Sequence, residues 1–588
     1  MLLNSIQTPK DLRSLSMEQL KLLSDELRLY IIDTILESGG HFAGNLGVVE
    51  LTVALHHSLN FESDTLVWDV GHQSYPHKCL SGRYHQLKNI RNFGEISGFP
   101  KREESTFDHF GTGHSSTSIS ATMGMAQAAE TKTSVHVAVI GDGALTAGMS
   151  FEALNNLWES NLNVIVILND NNMGIDPNTG ALNSHLTNQR IEQIKSFVEF
   201  FGLEYNGPVD GHDLNTLLPA LTSNYYKNGP RLLHVRTIKG KGYEPAEKEQ
   251  TKWHSASKFV KVESSHLPKE STPTKWQDVF GKAMEDICRQ HPDAIGITPA
   301  MPSSCGMMKA MESFPDRIFD VGIAEQHALT FAAGYATSGK KPIVNIYSSF
   351  LQRAYDQWIH DIALQNLPVI LCIDRAGLVG EDGPTHHGAF DISFLRCIPN
   401  TLLLSPQTGV ELYCQLMWAM HQSQPVAIRY PKGNIPDSKK FDALNGIDSH
   451  TILTTYNPYN PNWICPEQKN KPLLLSTGWA TELAQIGNVD TQIPHLHLSA
   501  LHSHAYPELN TLLNKYSHII TVEDGSITGG WGSGIISELL QSGWRGTFQH
   551  LGIPNSFVTH GNNSILYDDC GYSPMKIKEQ IQQALAKN

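Results

Sequence analysis

Runs of apolar, β-branched residues recur along the chain and alternate with segments of helical periodicity. The first pair of runs covers 135–140 and 164–168, and a helix-like segment from Gly148 to about residue 159 separates them. Continuous apolar runs of this length are typical of strands that are buried on both faces of a parallel sheet. An amphipathic helix is predicted at 17–36, where leucine and isoleucine recur at helical spacing. The alternation of strand and helix predicts an α/β fold.

The same alternation occurs three times, and polar, proline-containing stretches at 244–276 and 433–471 separate the three regions. We therefore predict three doubly wound α/β domains, at 1–243, 277–432 and 472–588, joined by two linkers. The first domain has a further predicted strand at 232–237. The predicted strands of the second domain are 294–299, 318–323, 342–348, 369–374, 401–405 and 426–430, and those of the third are 473–477, 496–500, 519–522 and 547–551.

Polar side chains follow the first two predicted strands at the point where each strand ends. Gly141-Asp142-Gly143 follows one strand, and Asn171 and Met173 follow the next, with Asn171 30 residues after Gly141. The carboxyl ends of adjacent parallel strands meet at one edge of a sheet, where ligands collect. A carboxylate, an amide oxygen and a backbone carbonyl supply part of an oxygen shell for Mg²⁺, and a phosphate can complete it. A Gly-Asp-Gly tripeptide alone is usually a turn, so the spacing to Asn171 carries this prediction.

Composition and charge exclude several classes of protein. The chain has 588 residues, 40% of them hydrophobic and 17% charged, which is ordinary for a globular protein. Its formal charge of −14 disfavours a nucleic-acid partner. Eight scattered cysteines form no CxxC pair, which favours reduced thiols. No signal peptide or membrane-spanning run is evident, so we expect a cytoplasmic protein without a membrane partner.

Three histidines lie beside glycine in predicted loops of the first domain: His41, His72 and His114, the last followed by Ser115. A single histidine of this kind is more often a hydrogen-bonded structural residue. Three of them shift the interpretation towards a polar ligand site, since imidazole and hydroxyl groups suit a diphosphate.

Polar groups also recur at strand ends in the second domain. Glu325 stands where a predicted strand gives way to a helix, and Arg375 and Arg429 each follow or end a strand. This distribution is expected of a site built on the edge of a parallel sheet.

These motifs, in their order, resemble those of the transketolase-like branch of thiamine-diphosphate enzymes, and within it the 1-deoxy-D-xylulose-5-phosphate synthase family. The resemblance covers roughly the first three quarters of the chain. It implies thiamine diphosphate and Mg²⁺ as cofactors, pyruvate and D-glyceraldehyde 3-phosphate as substrates, and a homodimer with each site between the first two domains. The similar blocks are 40–43, 68–78, 113–120, 141–149, 207–213, 324–331, 347–357, 374–377, 382–390 and 429–434.

The resemblance also implies a role for each matching residue. Glu325 would hydrogen-bond the aminopyrimidine ring of the cofactor, and Phe350 would pack against that ring. For Arg353 and Asp382, a salt bridge within the scaffold is an equally good interpretation. The implied Mg²⁺ ligands are Asp142, Asn171 and the carbonyl of Met173; the other diphosphate contacts are His72, His114, Ser115, Gly141, Gly143 and Ala144; the substrate contacts are Tyr347, Arg353, Arg375 and Arg429; and the proton-exchanging groups are His41, His254, Asp382 and His386.

The chain departs from the family pattern in three places. The segment at 187–206, which overlies the active site in the family, is shorter here; Lys432 replaces a commoner arginine; and 498–504 differs from the family's third-domain motif. Three functions therefore stay open: the synthase itself, a related carboligase with another aldehyde acceptor, and a catalytically silent paralogue that acts through assembly or regulation. Intact Glu325, Asp142 and Asn171 weigh against the third.

Overall fold

The computed structural model of the protein describes residues 1–131, 133–256, 273–437, 441, 449–502 and 505–587. The chain divides into two compact units, residues 1–266 with 322–324, and residues 267–321 with 325–588. Much of both predicted linkers, at 257–272 and at 438–448 except 441, lies outside the described residues, as do residues 503 and 504 of the divergent third-domain motif. The three-domain boundaries stay a prediction.

The first unit is built on a five-stranded parallel sheet in the order β2-β3-β4-β6-β5. The two predicted strands at its centre are confirmed, and they lie side by side in register from His136 opposite Val164 to Gly141 opposite Asn169. Their side chains are almost fully buried, as their uninterrupted apolar sequences require. The strands are β1 (Gly40–His41), β2 (Thr65–Trp68), β3 (His136–Gly141), β4 (Val164–Asp170), β5 (Glu204–Asp210), β6 (Arg231–Arg236) and β7 (Ser255–Ala256).

Two strands of the five-stranded sheet, β2 and β5, have no counterpart in the prediction, and neither do the two short strands β1 and β7. β5 carries Gly207 and Pro208 and is exposed or half-buried throughout, so it lacks the apolar run by which its neighbours are recognised. The predicted helix at 17–36 is confirmed as Met17–Ser38. The α-helices of the unit are Met17–Ser38, Ala43–Gly47, Val49–Ser58, Tyr75–Lys78, Ser118–Ala128, Asp142–Leu145, Gly148–Ser160, Gly180–Thr187, Ile191–Phe200, Leu214–Tyr225 and Glu244–Lys248.

The beginning of the predicted linker at 244–276 is instead part of the first unit. Strand β7 pairs antiparallel with β1, with Gly40 opposite Ala256. Trp253 anchors this return of the chain, since its ring is 5.6 Å from that of Phe42 and 5.3 Å from that of Tyr243. The buried apolar residues of 244–256 are only Ala246, Trp253 and Ala256, and the rest is mostly polar, so hydropathy indicated a linker.

The second unit contains two further sheets. A six-stranded parallel sheet has the order β12-β13-β11-β10-β8-β9, and a five-stranded sheet has the order β14-β16-β15-β17-β18, with β14 antiparallel to β16. The predicted strands of both regions are confirmed, with boundaries that shift by a few residues; β14 was not predicted. The strands are β8 (Ala294–Thr298), β9 (Ile318–Asp320), β10 (Lys341–Tyr347), β11 (Ile370–Ala376), β12 (Leu402–Leu404), β13 (Val426–Pro431), β14 (Asn462–Cys465), β15 (Leu473–Ser476), β16 (His495–His497), β17 (His518–Ser526) and β18 (Thr547–Ile553).

The strand ends of the six-stranded sheet carry the polar motifs of the second unit. Tyr347 ends β10, Arg375 lies near the end of β11 and Arg429 near the end of β13. Within the described residues, no helix of the protein is long and apolar enough to cross a membrane. The α-helices are Trp276–Gln290, Met308–Ser313, Glu325–Thr337, Ser348–Leu351, Tyr355–Gln357, Asp391–Arg396, Gly409–Ala419, Ser449–Thr455, Ala480–Asn488, Leu509–Leu513, Trp531–Gln541, Asn563–Asp569 and Pro574–Lys587.

Candidate active site

The ends of β3 and β4 place Asp142 against the backbone that follows β4. The N–H groups of Asn171 and Asn172 donate to Asp142 Oδ2 at 3.3 and 2.5 Å. The amide oxygen of Asn171 accepts the N–H of Met173 at 3.0 Å, which fixes the side chain in the turn. Gly143 allows close packing here, because a Cβ at this position would lie 2.6 Å from Asn178 Oδ1. The strand ends therefore collect the predicted oxygen donors at one edge of the sheet.

A lysine completes the charge pattern of this edge. Lys239 is buried and donates to the carbonyl of Gly174 at 2.5 Å. Burial lowers the pKa of Lys239 to about 8, and the nearby carboxylates of Asp142 and Asp176 partly oppose that shift. Burial, together with the charge of Asp170, raises the pKa of Asp142 to about 6. A carboxylate with a raised pKa is under-stabilised by its surroundings, and a bound cation would stabilise its charged form.

The loop that carries His114 and Ser115 is tied to the same edge. Its Ser116 donates through Oγ to the carbonyl of Ala144 at 2.7 Å. The carboxylate of Asp69 accepts the N–H groups of Ser116 and Ser118 at 2.7 and 3.0 Å. His114 and Ser115 thus belong to a loop that is anchored beside the Gly-Asp-Gly turn, and their contacts with a diphosphate stay a prediction.

His41, His72 and His254 form one cluster. The ring centroids are 5.9 Å apart for His41 and His72, 5.8 Å for His41 and His254, and 5.3 Å for His72 and His254. Asn45 joins the first two by donating to the carbonyls of His41 and His72 at 3.0 and 2.9 Å. Burial, with the adjacent Lys239 charge, lowers the pKa of His72 to about 3, so that imidazole is neutral. The ribbon of β1 and β7 brings His254 to the cluster from a distant part of the sequence.

In the second unit, Glu325 begins the helix Glu325–Thr337 and is buried. Arg353 Nη1 lies 3.9 Å from Glu325 Oε2. Burial raises the pKa of Glu325, and the Arg353 charge opposes that rise. Arg353 was interpreted either as a substrate contact or as part of a salt bridge within the scaffold. The structure contains the salt bridge.

Aromatic and cationic side chains gather around the end of β10. The rings of Tyr347 and Phe350 are stacked at 5.6 Å, and Phe350 meets the ring of His386 edge-on at 5.5 Å. Arg375 places its guanidinium carbon 4.0 Å from the centre of the Tyr347 ring, a cation–π contact. Although burial lowers the pKa of Arg375, the neighbouring groups Tyr347 and Asp374 raise it overall, which keeps the guanidinium charged.

Lys432, directly after β13, places a second cation against the loop between β11 and the helix Asp391–Arg396. Lys432 Nζ lies 3.8 Å from Asp382 Oδ2 and donates to the carbonyl of Val379 at 3.2 Å. Its side chain is 35% exposed, so the ammonium can still meet solvent or a ligand.

Arg429 does not share this exposure. Its Nε donates to both oxygens of Asp391 at 3.2 and 3.1 Å, and its Nη1 donates to Asp524 Oδ1 at 2.6 Å. Its side chain is 1% exposed. Two carboxylates already occupy the guanidinium, and this placement argues against the phosphate contact predicted for Arg429.

Lys239, Asn178 and Lys432 were not among the predicted site residues. Lys239 lies in a Lys-Gly-Lys-Gly loop, where lysine is normally a solvated residue, and only its burial identifies it. Asn178 lies in a polar stretch with no distinguishing pattern. For Lys432, the signal is its position after Tyr430-Pro431, where the resemblance gives arginine as the commoner residue.

The first unit fits a diphosphate with its metal. His72 Nδ1 and Asn178 Nδ2 are buried and have no hydrogen-bond partner within the described part of the chain. They flank a buried carboxylate and a buried lysine, so donors for an anion and an acceptor for a cation stand together. An unpaired buried donor costs about 1–3 kcal/mol, which a bound diphosphate would recover.

Three family models match the chain. The model described as 1-deoxy-D-xylulose-5-phosphate synthase matches residues 3–199 and 189–237. The transketolase pyrimidine-binding domain matches 272–438, and the transketolase C-terminal domain matches 481–577.

Curated relatives match over nearly the whole length. A 1-deoxy-D-xylulose-5-phosphate synthase of Cytophaga hutchinsonii is 41% identical, covering 99% of this chain and 98% of the relative. The synthase of Methylobacillus flagellatus is 42% identical and covers 100% of both chains. That of Paraburkholderia xenovorans is 42% identical, covering 99% and 97%. The chain belongs to the 1-deoxy-D-xylulose-5-phosphate synthase family.

Proposed function

We propose that the protein condenses pyruvate with D-glyceraldehyde 3-phosphate to give 1-deoxy-D-xylulose 5-phosphate and CO₂, a precursor-forming step of isoprenoid, thiamine and pyridoxal synthesis. Thiamine diphosphate and Mg²⁺ are the cofactors of this family. The full-length match to synthases at 41–42% identity carries the proposal. The two polar clusters support it, because each contains the groups that one half of the reaction needs.

The first unit would hold the diphosphate and the metal. Asp142, Asn171 and the carbonyl of Met173 would bind Mg²⁺, which suits hard oxygen donors. Lys239 and Asn178 would add a charge and an amide donor to the diphosphate contacts. The remaining contacts proposed are those of His72, His114, Ser115, Gly141, Gly143 and Ala144.

The second unit would act on the organic part of the cofactor. When bound, thiamine diphosphate supplies the electron sink for decarboxylation of the keto acid. Glu325 would hold a proton at the aminopyrimidine, and burial, which raises the pKa of Glu325, favours the protonated carboxyl. Phe350 would pack against the same ring, while Arg353 orients the Glu325 carboxylate.

Arg375 and Lys432 would bind the phosphate of the aldehyde, with Tyr347 supporting Arg375 from beneath. Arginine offers the planar fork that suits a phosphate dianion, and lysine adds a point charge. His41, His254, His386 and Asp382 would exchange protons with the substrates, which are rich in carbonyl and hydroxyl groups.

The test is an assay of CO₂ and of product with both cofactors, pyruvate and D-glyceraldehyde 3-phosphate. We expect 1-deoxy-D-xylulose 5-phosphate, and we expect Glu325→Ala to abolish its formation while Glu312→Ala, an exposed glutamate of the same unit, leaves it unchanged. CO₂ without this product would indicate a different acceptor. No decarboxylation with bound cofactor would indicate a silent paralogue.

A different acceptor is the second candidate, and one observation favours testing it. The match to the Cytophaga hutchinsonii synthase runs over 645 positions, more than the 588 residues of this chain, so segments of the relative are missing here. A screen of short aldehydes with and without phosphate would separate the two functions, since Arg375 and Lys432 favour the phosphorylated ones.

We also propose a cytoplasmic homodimer, on the strength of family membership alone. Light scattering should give a mass of about 130 kDa, twice the 65.1 kDa of the chain. A mass of one chain at working concentration would contradict this.

A further inference from the structure

Arg429 lies at the centre of a buried group of three charges that joins the two sheets of the second unit. Asp391 begins the helix after the loop that carries Asp382 and His386, whereas Asp524 lies near the end of β17 in the other sheet. Besides the bond to the Asp524 carboxylate, Arg429 Nη2 donates to the Asp524 carbonyl at 3.2 Å. One guanidinium thus holds the strand end of one sheet against that of the other.

Both carboxylates also contact the segments that carry the proposed acceptor-binding residues. Ser348, next to Tyr347, donates to Asp391 Oδ2 at 3.0 Å. Gly377, two residues after Arg375, packs so closely on Asp524 that a Cβ there would lie 2.6 Å from Asp524 Oδ2.

The backbone at Arg375 needs such support. Its φ of 56° lies in the left-handed region, where a residue with a side chain is strained. Such a conformation persists only when the surrounding contacts determine it. The contacts come from Gly377, whose N–H donates to the carbonyl of Gly388 at 2.9 Å, and from Asp524 beneath Gly377.

The C-terminal sheet holds the rest of this loop as well. Ser526 N–H donates to the carbonyl of Ala389 at 2.7 Å. Asn563 donates to the carbonyl of Leu378 at 3.0 Å, and His387 Nε2 lies 3.0 Å from the carbonyl of Thr559. The segment 377–389 is therefore attached at several points to a region in which no catalytic residue has been assigned.

We propose that Asp524, acting through Arg429 and Gly377, is a positioning residue for the phosphate-binding side chain Arg375. The C-terminal sheet would thereby set the affinity for the phosphorylated acceptor without touching it. This inference rests on the proposed function of Arg375.

The test is Asp524→Asn, which keeps the shape of the side chain and leaves Arg429 and Asp391 as a balanced pair. We expect the KM for D-glyceraldehyde 3-phosphate to rise about tenfold, while the KM for pyruvate and that for unphosphorylated D-glyceraldehyde change less than twofold. Arg429→Lys should give a smaller rise of the same kind, because one ammonium cannot bridge both carboxylates.

Glu523→Gln is the matched control. Glu523 is the adjacent buried carboxylate on β17, but it faces the other side of the strand and accepts the N–H groups of Trp531 and Gly532, both at 2.9 Å. It should lower stability without changing the ratio of the two aldehyde KM values.

Equal effects of Asp524→Asn on both aldehydes, or the same shift in Glu523→Gln, would overturn the proposal. So would unchanged KM values in a folded Asp524→Asn. If that variant does not fold, Arg429→Lys gives the same decision. Failure of the wild-type protein to form the product would instead refute the proposed function.

Discussion

The pKa of Lys239 makes cofactor affinity depend on pH in a specified direction. In the free protein, burial holds this pKa at about 8. A bound diphosphate places negative charge beside the ammonium and restores the pKa to its ordinary value of about 10.4 or above. Above pH 8, binding must therefore take up a proton, and affinity falls as pH rises.

The size of this pH effect on affinity follows from the linkage between protonation of Lys239 and cofactor binding. At pH 7 most of the free protein carries a charged Lys239, whereas at pH 9 about one molecule in ten does. The dissociation constant of thiamine diphosphate should therefore rise about tenfold from pH 7 to pH 9, or about 1.4 kcal/mol. The diphosphate itself does not change charge in this range.

Calorimetric titration with thiamine diphosphate at saturating Mg²⁺ measures this effect, and buffers of different ionisation enthalpy report the proton taken up. Lys239→Met should bind thiamine diphosphate more weakly at pH 7, and its affinity should no longer depend on pH. Lys241→Met, two residues away and half-buried, is the control and should keep the pH dependence. A wild-type affinity that is flat from pH 7 to 9, or a pH dependence that persists in Lys239→Met, would refute the reasoning.

Three further predictions concern single side chains. Because the folded-state pKa of Asp142 is raised to about 6, its contribution to the stability of the cofactor-free protein is lost as pH rises from about 4 through 6; thermal melts should show this loss in wild type and not in Asp142→Asn, and equal profiles would contradict it. Arg375→Met should raise the KM for D-glyceraldehyde 3-phosphate at least tenfold more than that for pyruvate, and equal rises would remove its role. His254→Asn should lower turnover by about 10²–10⁴ while thiamine diphosphate still binds, as judged by titration; unchanged turnover would exclude it from proton exchange.

The central strands and the Gly-Asp-Gly edge were predictable because their signals are local. An apolar run predicts β3 and β4, and parallel pairing then places Asp142 near Asn171. Arg429 was misleading for the opposite reason. A charged residue at a strand end is typical of a site, but its partners Asp391 and Asp524 come from distant parts of the chain, and only packing distinguishes a structural arginine from a binding one.

Lys239 and His254 are the converse case, because the sequence pattern alone gives no sign that they belong to the site. Both lie in polar segments without periodicity, so hydropathy gives them no weight. Burial is what makes Lys239 a candidate site residue, and the pairing of β7 with β1 is what places His254 in the histidine cluster. Neither property is encoded by neighbouring residues. Family resemblance supplied the role of His254, but it did not single out Lys239.

The pairing of β1 with β7 also sets an order of events in folding. Ser255 donates to the carbonyl of Gly40 across 215 residues of sequence, one of the longest loop closures in the first unit. Contacts of such separation form late, and a chain made from its N-terminus has translated the whole parallel sheet before His254 exists. The histidine cluster is therefore completed after its scaffold. A nascent chain that ends before His254 would contain the sheet and the Gly-Asp-Gly edge, but only two of the three histidines of the cluster.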